Sequence, residues 1–179
     1  MRRVSTRVVV AAVAGTVSAF AAVPAVASDD GTGPRGGGWE RLPAESFTSP
    51  AGDLCPFPLR SDPLFDQVHV RTTSTFPDGS PRRQEYAGPL VVRLTNLDSG
   101  ESIVRDLGGR AVATYAEDGS YDFRITGPAA VGFRAYQGDS EPTGFWVLRG
   151  LHTVRFAADT TRSVIVDRGP EENVCTTLA

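Results

Sequence analysis

The sequence predicts an all-β domain closed by one disulfide. Three observations carry the expectation. From Phe65 onward, short apolar alternations are cut by turn signals, and no stretch keeps a helical period long enough to make a helix. Two strand-like stretches carry a glycine midway along an apolar stripe. Only two cysteines occur, Cys55 and Cys175, and they bracket the region.

The clearest strand is Ser120–Thr126, where Tyr121, Phe123 and Ile125 point one way and Asp122 and Arg124 the other. Glu117-Asp118-Gly119 is a hairpin turn joining it to Arg110–Ala116. Leu97-Asp98-Ser99-Gly100 joins a strand ending near Asn96 to one over Glu101–Leu107, and Ala158-Asp159-Thr160 precedes another over Arg162–Asp167. Gly108-Gly109 and Gly127-Pro128 read as further reversals. In Arg83–Asn96 the inner face collects Tyr86, Gly88, Leu90, Val92 and Leu94; in Gly144–Ala157 it collects Trp146, Leu148, Gly150, His152, Val154 and Phe156. With Phe65–Thr73 and Ala129–Tyr136 the count is about eight strands. Short links make sequence neighbours into spatial neighbours, an antiparallel up-and-down meander expected to close into a small barrel, with a two-sheet β-sandwich as the alternative.

Residues 1–27 have the layout of a signal peptide. Arg2, Arg3 and Arg7 precede an apolar run from Val8 to about Ala22, and Ala25-Val26-Ala27 offers a small-x-small cleavage pattern. Gly15, Ser18 and Pro24 break that run below the roughly 20 residues of a membrane-spanning helix. A flexible tether is expected over 28–41 and a single β domain over 42–179, with the protein secreted and no membrane span left after cleavage. Loss of the three leader arginines and of no acid takes the net charge from −3 to −6, which disfavours nucleic acid or an anionic membrane as partner. In an oxidising compartment Cys55 and Cys175 are expected to pair; a free cysteine nucleophile is the disfavoured reading.

No nucleophile elbow or other hydrolase signature is present, and no catalytic residue is assigned. Neither a cofactor nor a metal is expected. Gly36-Gly37-Gly38 follows no strand, and two histidines with two oxidised cysteines make a poor zinc set. Asp29-Asp30 falls in the tether and Glu171-Glu172 stands alone. His152 is the titratable side chain expected inside, either as a core imidazole with one backbone hydrogen bond or as a ligand contact. His69 falls in the opposite phase from Val68 and Val70 and is expected at the surface.

Four blocks, CPFPLR at Cys55–Arg60, TFPDGSPRR at Thr75–Arg83, GPLVVRLTNLDSG at Gly88–Gly100 and ENVCTTLA at Glu172–Ala179, resemble secreted proteins of unknown function from high-GC Gram-positive (actinobacterial) bacteria. The resemblance covers most of the region after the leader. It implies export and one domain, and it carries over no site residue.

The functional expectation is a secreted, non-catalytic binding module. Its ligand would be a small apolar or amphipathic molecule held in or at the mouth of a barrel by Tyr86, Tyr121, Trp146, Gly150 and His152. One alternative is an enzyme using the same cavity, with His152 as acid or base beside Arg134 or an acid. The other is an inhibitor-type module that binds an extracellular protein through Ser74–Arg82 or Gln137–Thr143 as a projecting loop.

Overall fold

Six long strands, each bent near its middle, account for most of the chain. The structure, a computed structural model, describes residues 37–179, so the expected signal peptide and the tether ahead of Gly37 lie outside the described residues. In chain order the bent strands are β3 (Leu59–Asp66) with β4 (His69–Thr75), β5 (Pro81–Ala87) with β6 (Leu90–Asn96), and β7 (Ser102–Asp106) with β8 (Arg110–Tyr115). They continue as β9 (Tyr121–Thr126) with β10 (Ala129–Phe133), β11 (Gly144–Leu148) with β12 (Leu151–Phe156), and β13 (Arg162–Arg168) with β14 (Glu171–Asn173). Two short strands precede them, β1 (Glu40–Arg41) and β2 (Phe47–Ser49), and a one-turn helix α1 (Val174–Thr177) follows. Strand pairing among the described residues begins at Glu40, opposite Val70.

The sheets are antiparallel, and each bent strand pairs with its neighbour in sequence. The seven-stranded sheet has the order β1-β4-β5-β8-β9-β12-β13. Beyond the bends the strands divide into a four-stranded sheet β2-β3-β6-β7 and a three-stranded sheet β10-β11-β14, because β7 and β10 do not pair. Both edges of the seven-stranded sheet stay open, so no closed barrel forms among the described residues. Gly108-Gly109 and Gly127-Pro128, expected as reversals, are instead corners: β7 pairs with β6 and β8 with β5, but β7 never pairs with β8.

Those corners explain why the sheet folds over instead of curling round. At Gly150 (φ 109°) an added Cβ would strike the Arg168 carbonyl oxygen, and at Gly88 (φ 135°) it would strike the Gln67 carbonyl oxygen. Both glycines are required by close backbone approach at a positive φ, and neither leaves space for a ligand. Gly150→Ala is expected to lower stability by about 2–4 kcal/mol, read as a lower urea midpoint. A loss below about 0.5 kcal/mol would mean that the corner relaxes freely.

Side-chain parity agrees with the sequence. Leu90, Val92, Leu94, Phe123, Ile125, Val154 and Phe156 are buried while Arg93, Arg124 and Arg155 are exposed. The buried side chains form two clusters. Leu54, Leu59, Leu90, Val92, Leu94, Phe145, Val147, Val174 and the disulfide form one cluster. Ala113, Phe123, Ile125, Val131, Phe133, Leu148, Val154 and Phe156 form the other. Alternate residues of β10 and β11 belong to different clusters, so the three-stranded sheet is covered on both faces by the two larger ones. Burying both faces removes the polar positions and makes Ala129–Phe133 and Phe145–Leu148 nearly continuous apolar runs.

The Cys55–Cys175 bond is formed, with Cα atoms 5.2 Å apart and the two cysteines 120 positions apart in sequence. It ties the loop before β3 to α1, whose first turn is capped by the Asn173 side chain accepting from the Cys175 N–H. Asn96 Nδ2 donates to the Leu178 carbonyl at 2.9 Å and holds the end of the chain. No helix among the described residues is long and apolar enough to cross a membrane.

Candidate functional site

The aromatic residues expected to line one cavity share a packed cluster instead. Tyr86 is edge-on to Phe123, with ring centroids 5.6 Å apart, and Tyr121 stacks on Phe156 at 4.4 Å and 4°. The Tyr86 and Tyr115 hydroxyls both donate to Gln84 Oε1, at 2.8 and 2.9 Å. Burial raises both phenols above their ordinary range, and the adjoining Tyr115 adds to the effect at Tyr86. These rings are neutral packing groups. A crevice beside Tyr86, lined by Val68, Gly88, Leu90, Leu107 and Ala111 among others, has room for about 20 Å³, the space of one water. Tyr121, Trp146, Gly150 and His152 do not line it. Trp146 packs against the rings' cluster, while its indole N–H donates to the Pro142 carbonyl at 3.1 Å.

That contact leads to the segment 134–143, which links β10 to β11. It begins with a 3-10 turn over Ala135–Gln137 ended by Gly138 in the left-handed region. Its anchor is Asp139, whose side chain is wholly buried and accepts the backbone N–H groups of Arg134 and Arg162, each at 2.7 Å. Ser140 N–H donates to the Arg162 carbonyl at 2.9 Å, and Thr143 Oγ1 accepts from Ala135 N–H at 3.0 Å. The two bonds to Arg162 tie the loop to β13, and the other two close the loop on itself.

Two buried guanidiniums lie beneath it. Arg162 is 2% exposed, sits over the Phe156 ring at 5.5 Å, and donates from Nη1 to the Gly132 carbonyl, with Asp139 Oδ2 3.5 Å away. Burial lowers this guanidinium from its ordinary value, and Asp139 opposes that shift. Arg134, expected beside His152, pairs instead with Asp53 through Nε and Nη2 at 2.8 and 3.2 Å. Asp53 also accepts from Ser49 at 2.7 Å and from the Tyr136 hydroxyl at 2.9 Å. Burial would raise the Asp53 carboxyl, but these three donors outweigh it and hold the group below its ordinary value. Tyr136 is fixed at its hydroxyl and 67% exposed, so one ring is presented to solvent in a set orientation.

His152 is fully buried, as its parity requires. Its Nε2 lies 3.0 Å from the Arg149 carbonyl oxygen. A carbonyl only accepts, so the hydrogen is on Nε2. Around Nδ1 stand two acids: Asp167 Oδ1 at 3.4 Å and Glu171 Oε1 at 3.6 Å. A bulge explains the first. The ladder shifts between Thr153↔Val166 and Val154↔Val164, so Ile165 is extra and Asp167 comes directly opposite His152. The Gly169-Pro170 corner precedes the second, passing the chain from β13 beside β12 to β14 beside β11. Sequence reading found His152 by its alternation but left Glu171 alone, because the corner that brings it to His152 leaves no mark in the apolar pattern. His69 is half-buried, its Nδ1 2.8 Å from the Gln67 carbonyl.

No protein-family model matches the chain, and no solved structure matches it.

Proposed function

We propose that this chain is a secreted, non-catalytic binding module that engages an extracellular protein through the loop 134–143, using a filled, layered β-sandwich as its scaffold. One observation carries the reading: Asp139 ties the first residue of the loop to Arg162 of β13 from beneath and Asp53 holds the Tyr136 hydroxyl, so the exposed ring is held ready without a further ordering cost on binding. An aromatic ring in a fixed loop is a common binding anchor, because it adds contact area at little entropy. The disulfide supports an oxidising destination, in line with the leader-like residues 1–27. Carriage of a small apolar molecule is less well supported, since the crevice beside Tyr86 would hold about one water.

The test places a photo-crosslinking residue at position 136 or, as control, at the exposed Arg124 on the seven-stranded sheet. The protein is then exposed to the medium and surface of the producing cells. A discrete adduct from position 136, absent from position 124 and competed by unlabelled protein, is the expected result. Equal labelling at both positions, together with saturable NMR shifts on adding a small apolar compound, would contradict the reading in favour of a carrier.

A further inference from the structure

The imidazole of His152 is hydrogen-bonded on one side only, and its other side faces two acids. With its hydrogen on Nε2, Nδ1 turns a lone pair toward two carboxylate oxygens, and it makes no hydrogen bond among the described residues. A buried polar atom left in this state costs about 1–3 kcal/mol. A cation placed between the three groups would remove the cost.

We propose that His152 Nδ1, Asp167 and Glu171 bind one divalent transition-metal ion, with Zn²⁺ the species that fits best. The spacing supports this. Two donors each about 2.1 Å from a common ion at the tetrahedral angle stand about 3.4 Å apart. Here Nδ1 is 3.4 Å from Asp167 Oδ1 and 3.6 Å from Glu171 Oε1, and one donor atom from each residue fits within 4.8 Å of the others. The Nε2–H···O=C bond to Arg149 supplies the outer contact that fixes ring orientation in histidine metal sites. A neutral imidazole beside two carboxylates favours Zn²⁺ and its neighbours over Ca²⁺ or Mg²⁺, which take oxygen donors. Asp167 is more than half exposed, so the remaining coordination positions open to solvent and take water or an outside donor.

The purified protein is stripped with chelator and titrated calorimetrically with Zn²⁺, and in a second run with Ca²⁺. The expected result is one-to-one Zn²⁺ binding with a rise in Tm, and no comparable Ca²⁺ binding. Asp167→Asn and Glu171→Gln should each weaken Zn²⁺ binding by about tenfold or more, while His69→Ala leaves it unchanged. Using two single variants leaves one to decide if the other fails to fold. Absence of Zn²⁺ binding at millimolar metal would overturn the proposal. Binding lost with His69→Ala and retained in both acid variants would overturn it equally.

Discussion

Asp139→Ala is expected to lower the stability of the protein by about 3–5 kcal/mol and to free the loop 134–143. The carboxylate is wholly buried, holds two backbone N–H groups at 2.7 Å, and is the acid nearest the buried Arg162. Removing it strands a guanidinium in the interior and leaves two amides without an acceptor, and each of these losses is costly. Changing Arg162 to Met in the same background should recover part of the loss, because the uncompensated cation goes with it. Urea unfolding of the three proteins checks both effects. A cost below about 1 kcal/mol for Asp139→Ala would show that Arg134 and Thr143 hold the loop without it.

The second large effect concerns the crosslink. Replacing Cys55 and Cys175 together by Ser is expected to cost about 2–5 kcal/mol, since a bond spanning 120 residues restricts the unfolded chain strongly. The effect should be concentrated at the C-terminus. Helix α1 has only four residues, too few to persist by itself, and its remaining ties are Val174 and Leu178 in the core and the Asn96 contact to the Leu178 carbonyl. A urea midpoint that hardly moves would mean that these contacts suffice.

Much of the fold was legible because strand parity and turn chemistry are local. Tyr121, Phe123 and Ile125 announced their face, and the Asp118-Gly119 and Asp98-Ser99-Gly100 turns announced their hairpins. The layering was less legible. A glycine that bends a strand between sheets looks, in sequence, like one that coils it into a barrel. Gly88 and Gly150 fit both patterns, and the carbonyl oxygens that crowd them mark them as bends. The apolar runs Ala129–Phe133 and Phe145–Leu148 carry the sign of a strand covered on both faces, which a short run shares with a one-faced strand. His152 was legible for the same reason as the strands. Its acids were not, because Asp167 reaches it through the bulge at Ile165 and Glu171 through a corner. The Asp139 anchor joins residues 134 and 162, a pairing that no local pattern records.

Amide hydrogen exchange on the unmodified protein tests the central claim, a loop fixed to a filled scaffold, most directly. The Arg134 and Arg162 amides, both held by Asp139, should exchange as slowly as the amides of Phe123 and Ile125 in β9, which is paired on both sides within the seven-stranded sheet, opening only when the whole domain unfolds. Exchange at those two positions as fast as at the exposed Asp78-Gly79 turn would contradict the claim and leave Tyr136 on a loop that must order as it binds.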